Sequence, residues 1–165
     1  MSQRPYDLII FDWNGTLSTA RFSGSPNPIH SIFHGVPEML EHLQAEGYQL
    51  AIATAASRQS METQLEHFNI ERYFGGLSCD DDGFSKPDRR VIDTLLEQMQ
   101  VPAERALMVG DTPMDIECAR HAQVDAAAVS NGNEFHGQKL LAYKPLVLLD
   151  KVTDLVAWLA RKAVV

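Results

Sequence analysis

YDLIIFDWNGTL, residues Tyr6 to Leu17, is the stretch on which the fold turns. Tyr6 to Phe11 is a short apolar run rich in β-formers, too brief for a core helix and flanked by polar residues. It reads as a strand buried on both faces of a sheet. Asp12 follows directly, so a carboxylate stands at the carboxyl end of that strand, and Asn14-Gly15 then supplies a strong turn dipeptide. The bland reading of Asp12 is an Asx-turn into that dipeptide. The functional one depends on what else reaches the same edge.

Working outward, short apolar runs alternate with segments of helical period. Ser18 to Gly35 is rich in Ser, Gly and Pro and reads as a loop. Val36, Met39, Leu40 and Leu43 mark one face of a helix that Gly47 ends. Tyr48 to Thr54 is a second strand, and a helix follows from Ser57 to Phe68. Gly75 to Cys79 is a short third strand. Pro87 is expected to open a helix whose core face is Val91, Ile92, Leu95, Leu96 and Met99. Arg105 to Gly110 is a fourth strand, with a helix starting at Thr112-Pro113 and running to Ala122. Val124 to Ser130 is a fifth strand, Leu146 to Asp150 a sixth, and Val152, Leu155, Val156 and Leu159 define the last helix. Alternation at this spacing gives βαβ units. The expected fold is α/β: a Rossmann-like three-layer sandwich around a mostly parallel sheet of five or six strands.

In such sheets ligands bind outside the carboxyl ends of the strands. Asp12 follows strand one, Thr54 ends strand two, Lys86 follows strand three and Asp111 follows strand four. Parallel strands bring all four to one edge. Two carboxylates without nearby Cys or His ligands suit a hard cation such as Mg²⁺. Such a cation reduces repulsion between carboxylate and phosphate. Lys86 and the helix N-termini add positive potential, and an Asp can act as nucleophile through an aspartyl-phosphate.

DWNGTL (Asp12 to Leu17) resembles the first motif of the haloacid dehalogenase-like phosphohydrolases, DxDGT after an apolar strand. AIAT (Ala51 to Thr54), SKP (Ser85 to Pro87) and VGDTPMD (Val109 to Asp115) resemble the second, third and fourth, in order and at fitting spacing. The likeness spans nearly the whole chain and is strongest to the phosphoglycolate-phosphatase-like branch. It implies an Mg²⁺-dependent phosphate-monoester hydrolase with Asp12 as nucleophile and metal ligand. The Asn14 carbonyl would be a second ligand. Thr54 and Lys86 would hold phosphoryl oxygens, Asp111 would ligate the metal, and Asp115 would support that shell.

Two departures stand out. The family's phosphatases carry an Asp general acid/base two residues after the nucleophile, where this chain has Asn14. An amide cannot shuttle a proton, and losing a general acid/base typically costs about 10²–10⁴-fold. A slow phosphatase and a catalytically degenerate phosphate- or partner-binding module both remain open. Second, relatives of this branch insert a helical cap after the first motif. Here residues 18–34 are too short for one, so residues 1–165 are expected to form a single core domain with an open site. Open sites of this kind accept large phosphorylated substrates as well as small ones, or are covered by a neighbouring copy of the chain.

Composition narrows the rest. The net charge of −8 disfavours wrapping nucleic acid, which rests on phosphate neutralisation. Cys79 and Cys118 form no CxxC pattern, which argues against a disulfide scaffold and for a reducing, cytoplasmic setting. No run is long enough for a membrane span. Ser57 reads as a helix N-cap, and Asp115 also fits a capping box with Thr112. Asp80-Asp81-Asp82-Gly83 reads as a solvated loop and not a calcium site, and Trp13 as packing. His30 and His34 read as loop residues, and His136 as a residue of a loop after strand five, at the surface by preference although it could approach the site from there.

Overall fold

The computed structural model describes residues 4–19 and 31–163. Six strands form one sheet: β1 (Leu8–Phe11), β2 (Gln49–Ala53), β3 (Gly76–Ser78), β4 (Ala106–Gly110), β5 (Asp125–Val129) and β6 (Val147–Leu149). Their order is β3-β2-β1-β4-β5-β6, and every pairing is parallel. The polarity of the chain therefore reverses its winding between β1 and β4, the place where an open parallel sheet leaves a crevice at its carboxyl edge.

The period-2 alternation of the strands divides the core in two. Ile9, Phe11, Leu50, Ile52, Leu107 and Val109 pack under α1 (Val36–Ala45), α2 (Arg58–His67) and α6 (Leu155–Ala163). Leu8, Ile10, Ala51, Ala53, Ala106 and Met108 pack under α3 (Arg90–Met99), α4 (Pro113–His121) and α5 (Glu134–Leu141). β1 is buried at every position, as its unbroken apolar run requires of a strand covered on both faces. Each fully buried Leu or Ile contributes about 1.5–3 kcal/mol relative to exposure. The architecture is the three-layer sandwich that the alternation implies.

Two local expectations fail. Pro87 does not open α3. Ser85 to Asp88 instead make a turn, closed by the Asp88 N–H donating to the Ser85 carbonyl (2.9 Å), with the Lys86–Pro87 peptide cis. The helix starts at Arg90, whose N–H donates to the Asp88 carboxylate (2.9 Å). A carboxylate thus supplies the start signal that proline was expected to give. The segment between β5 and β6 is no plain loop either, but carries α5, with Asn133 as N-cap accepting from the His136 N–H (2.9 Å). The helix is short and mostly solvent-facing, with Gly137 and Leu140 alone buried, so it lacks the apolar stripe that reveals a helix in sequence.

Ser57 is the N-cap of α2, accepting from the Ser60 N–H, and Trp13 is fully buried with its Nε1 donating to Gln64 Oε1 (2.8 Å). Asp80–Asp82 is a single 3-10 turn tied to Arg58. The ends of the first long loop are pinned together: Thr19 N–H donates to the Ser31 carbonyl (2.8 Å) and Phe33 N–H to the Leu17 carbonyl (2.9 Å). His30 lies outside the described residues.

Candidate active site at the carboxyl edge

The turn after β1 is wound tightly. The N–H groups of Leu17 and Ser18 both donate to the Trp13 carbonyl (3.0 and 2.9 Å), and Gly15 N–H donates to Ser18 (2.8 Å). Gly15 has φ +81°, and a Cβ there would lie 2.1 Å from Asp111 Oδ2. Both conditions demand glycine. The turn is in this way pressed directly against the carboxylate that ends β4. Asn131, just beyond β5, holds it from the other side by donating its Nδ2 to the Gly15 carbonyl (2.7 Å).

Lys86 reaches across to join the carboxylates. Its Nζ donates to Asp12 Oδ1 (2.9 Å), to Asp115 Oδ1 (2.7 Å) and to the Ala53 carbonyl (3.2 Å). Asp12 Oδ1 also accepts from the Trp13 N–H (2.8 Å), so neither of these bonds involves Oδ2. Asp111 Oδ1 accepts from Thr16 Oγ1 (3.1 Å). Asp115 combines both roles weighed for it: Oδ1 takes Lys86, and Oδ2 closes the capping box on Thr112 (3.1 Å). With both oxygens engaged, Asp115 is an anchor for Lys86 rather than an open ligand. Gly110 fits around it, since a Cβ there would fall 2.3 Å from the Asp115 carboxyl carbon.

Carboxylates outnumber cations here. One oxygen each from Asp12, Asp111 and Asp115 lies within 4.8 Å of the others, against the single ammonium of Lys86. Burial first, then the Asp115 charge, pushes the Asp12 carboxyl well above the ordinary carboxylate range, with Lys86 opposing. Burial also raises Asp111. For Lys86, burial alone would lower the value, but Asp115 and Asp12 outweigh it and raise it. Three buried carboxylates and one ammonium leave an excess of two negative charges. An oxygen-only donor set with that excess fits a hard divalent cation, held by Asp12 and Asp111 with Asp115 behind them.

A cavity of about 490 Å³ opens over these groups, lined by Asp12, Asn14, Thr54, Lys86 and Asp111 among others. All four groups assigned to the edge from sequence reach it. Asn14 is exposed at its mouth. Thr54 Oγ1 accepts from the Ala56 N–H (3.1 Å), which leaves its own hydrogen to donate.

The same cavity is lined by His136, which was expected at the surface. It sits in the first turn of α5, with Nε2 2.6 Å from the Asp111 carbonyl oxygen. Thr16 and Asn131 were also not singled out. Asn131 had a signal, since it follows β5 and the strand-end rule puts it at this edge.

Haloacid dehalogenase-like hydrolases supply the family model that matches, over residues 23–129. This chain belongs to that family. A curated relative, the pyrophosphatase PpaX of Bacillus cereus, is 34% identical over 128 residues, 75% of this chain and 57% of the relative. PpaX of Bacillus mycoides is 32% identical over 133 residues, 78% of this chain and 60% of that protein. The chain thus spans less than two thirds of the length of these relatives. Among solved structures, one described as a predicted phosphoglycolate phosphatase from Haemophilus somnus superposes with TM-score 0.82 at 19% identity, covering 93% of this chain and 98% of that one. A haloacid dehalogenase-like hydrolase from Streptococcus pneumoniae gives 0.77 at 18% identity, again covering 93% and 98%. These two likenesses establish the fold.

Proposed function

We propose that the chain hydrolyses phosphate monoesters with Mg²⁺ as cofactor, through an aspartyl-phosphate on Asp12. The observation that carries this reading is the meeting of Asp12, Lys86 and Asp111 around one cavity, from strands far apart in sequence. Asp12 attacks phosphorus, the P–O ester bond breaks, and the alcohol departs with a proton from solvent. Water then attacks the phosphoryl group on Asp12, releasing phosphate and restoring the carboxylate. Thr54 and Lys86 hold the phosphoryl oxygens, Lys86 giving up its longest bond, to the Ala53 carbonyl (3.2 Å), while it keeps Asp12 oriented. Asp12, Asp111 and the Asn14 carbonyl would hold Mg²⁺, which when bound would offset the carboxylate charge against an incoming phosphate. Asp115 fixes Lys86. Asn14 has no proton to give or take, so both steps run slowly.

Residues 1–165 are read as one core domain, with 18–34 a short loop in the position of a cap. The pinning of residues 17–19 to 31–33 supports that reading. The open mouth admits a phosphorylated small molecule or a larger phosphorylated substrate, or is covered by another copy of the chain. The buried free thiols Cys79 and Cys118 support a cytoplasmic setting. Among the described residues no helix is long and apolar enough to cross a membrane.

The decisive experiment measures turnover of 4-nitrophenyl phosphate with Mg²⁺ for the chain and for Asn14→Asp. Slow turnover that rises about 10²–10⁴-fold on substitution is expected. No turnover from either protein, together with no uptake of beryllium fluoride at Asp12, overturns the reading. Mg²⁺-dependent phosphate binding without turnover, even in Asn14→Asp, would instead favour a degenerate binding module, the reading that Asn14 itself motivates.

A further inference from the structure

The cavity has two unlike halves. Its floor is the charged cluster already described, and its remaining lining combines the apolar Ala55, Phe84, Val91 and Met114 with hydroxyls from Ser78, Ser85 and Thr112 and the imidazole of His136. At about 490 Å³ the space lies within the range of small-molecule pockets, so a phosphoryl group seated on the floor leaves room beside that wall. Whatever is esterified to the phosphate must occupy it.

The wall's charge decides what it can hold. Lys86 is the one Lys or Arg lining the cavity, and Asp12 and Asp115 already engage it. Two arginines stand near by, but both are committed elsewhere. Arg89 pairs with Asp93 (2.7 Å). Arg90 pairs with Asp88 (2.7 Å) while its guanidinium lies over the Phe84 ring, 4.8 Å from the centroid. That stacking fixes Phe84 as an aromatic surface beside the cavity. Met114, directly after the helix-opening Pro113, is 46% exposed. Methionine adapts to flat apolar groups and contacts aromatic rings favourably. A leaving group carrying two or three negative charges would find no second Lys or Arg among these residues, and the other basic side chain, His136, is engaged at the Asp111 carbonyl (2.6 Å). An apolar or aromatic one would be desolvated between Phe84 and Met114.

Resting on the phosphohydrolase reading above, we infer that Phe84 and Met114 form the specificity wall of this site. It selects phosphate monoesters of apolar, especially aromatic, alcohols and disfavours inorganic pyrophosphate. The substrate class therefore differs from the one named by the pyrophosphatase relatives, although the floor is shared. The selection acts in binding: the wall buries the ring while the phosphoryl end is held as in any monoester.

The test uses three stable probes with Mg²⁺ present and reads affinity by calorimetry: phenylphosphonate, methylphosphonate and methylenebisphosphonate. Phenylphosphonate should bind at least about tenfold more tightly than methylphosphonate, the discrimination expected of an apolar pocket. Methylenebisphosphonate should bind more weakly than phenylphosphonate. Phe84→Ala and Met114→Ala should each shrink the phenyl–methyl gap and leave methylphosphonate binding unchanged. Both side chains are partly exposed, so neither substitution threatens the fold. A bisphosphonate preference, or a phenyl–methyl gap that survives both substitutions, overturns the specificity wall while leaving the phosphate floor intact. Failure of all three probes to bind overturns the floor reading and the wall with it.

Discussion

β1 and β4 lie side by side, and the two ends of that pair are built on opposite principles. At the amino end, Asp7 and Arg105 form a two-pronged ion pair (Nε–Oδ2 3.0 Å, Nη2–Oδ1 3.0 Å), and Arg105 also donates to the carbonyls of Pro5 and Arg4. Near by, Tyr6 gives its hydroxyl to Asp125 (2.6 Å). Every carboxylate there has a donor, and the pair is partly open to water. At the carboxyl end, Asp12, Asp111 and Asp115 are buried around one ammonium. The first arrangement ties two strands together. The second is a poor way to stabilise a protein, because buried like charges repel and lose hydration. Its imbalance suits a divalent cation, which would in turn offset the carboxylate charge against a phosphate.

The largest effect that would break this contrast is loss of the nucleophile. In the Asn14→Asp background, Asp12→Asn should remove turnover of 4-nitrophenyl phosphate down to the uncatalysed rate. An unchanged rate would mean that the crowded end is merely structural.

The charge excess can be probed without catalysis. Asp111→Asn keeps the shape and removes one of the three charges, so the metal-free variant should melt at or above the temperature of the parent. Mg²⁺ should stabilise the parent by about 2.7 kcal/mol when present at a hundredfold excess over its dissociation constant. The variant should gain little. Equal Mg²⁺ shifts in the two proteins, read by thermal melts, would show that Asp111 holds no cation.

Gly15→Ala tests the close approach of the two strand ends. With positive φ and Asp111 Oδ2 in the path of the new Cβ, it should cost about 1–3 kcal/mol in denaturant melts and lower Mg²⁺ affinity as well. A neutral result would mean that the turn and Asp111 move apart freely.

The smallest effect belongs to the balanced end. The Arg105 hydrogen bond holds the Asp7 carboxyl below its ordinary value of 3.8. A carboxylate with a lowered folded value contributes stability above the unfolded value and loses it as pH falls through the folded one. Arg105→Ala should therefore cost less than about 1 kcal/mol at neutral pH, since the pair is over a third exposed. That difference should fade below about pH 4, the unperturbed Asp range. A cost that persists unchanged at pH 2 would place it in the Arg105 bonds to the Arg4 and Pro5 carbonyls.

How much was legible in the sequence follows the strength of the local pattern. The strands and the helices α1, α2, α3, α4 and α6 announce themselves through apolar periodicity, because each buries a face that must be apolar. α5 does not, since it buries little more than Gly137 and Leu140. His136 was left between surface and site for the same reason: an unseen helix leaves its side chain with no direction. The start of α3 was missed because Pro87 lies within the Ser85–Asp88 turn, and the helix begins only after it, at Arg90.

The sequence by itself determined the order of the strands along the chain and the residues placed at their carboxyl ends. Backbone geometry and burial act locally there, so Asp12, Thr54, Lys86 and Asp111 could be assigned to one edge before any coordinates. Only the tertiary structure decided how their charges are shared. That Lys86 grips Asp115 as well as Asp12, that Gly15 presses on Asp111, and that Phe84 and Met114 wall the cavity are all contacts between elements. Distances between elements are set by how helices and sheet pack together, and no local stretch of sequence encodes them.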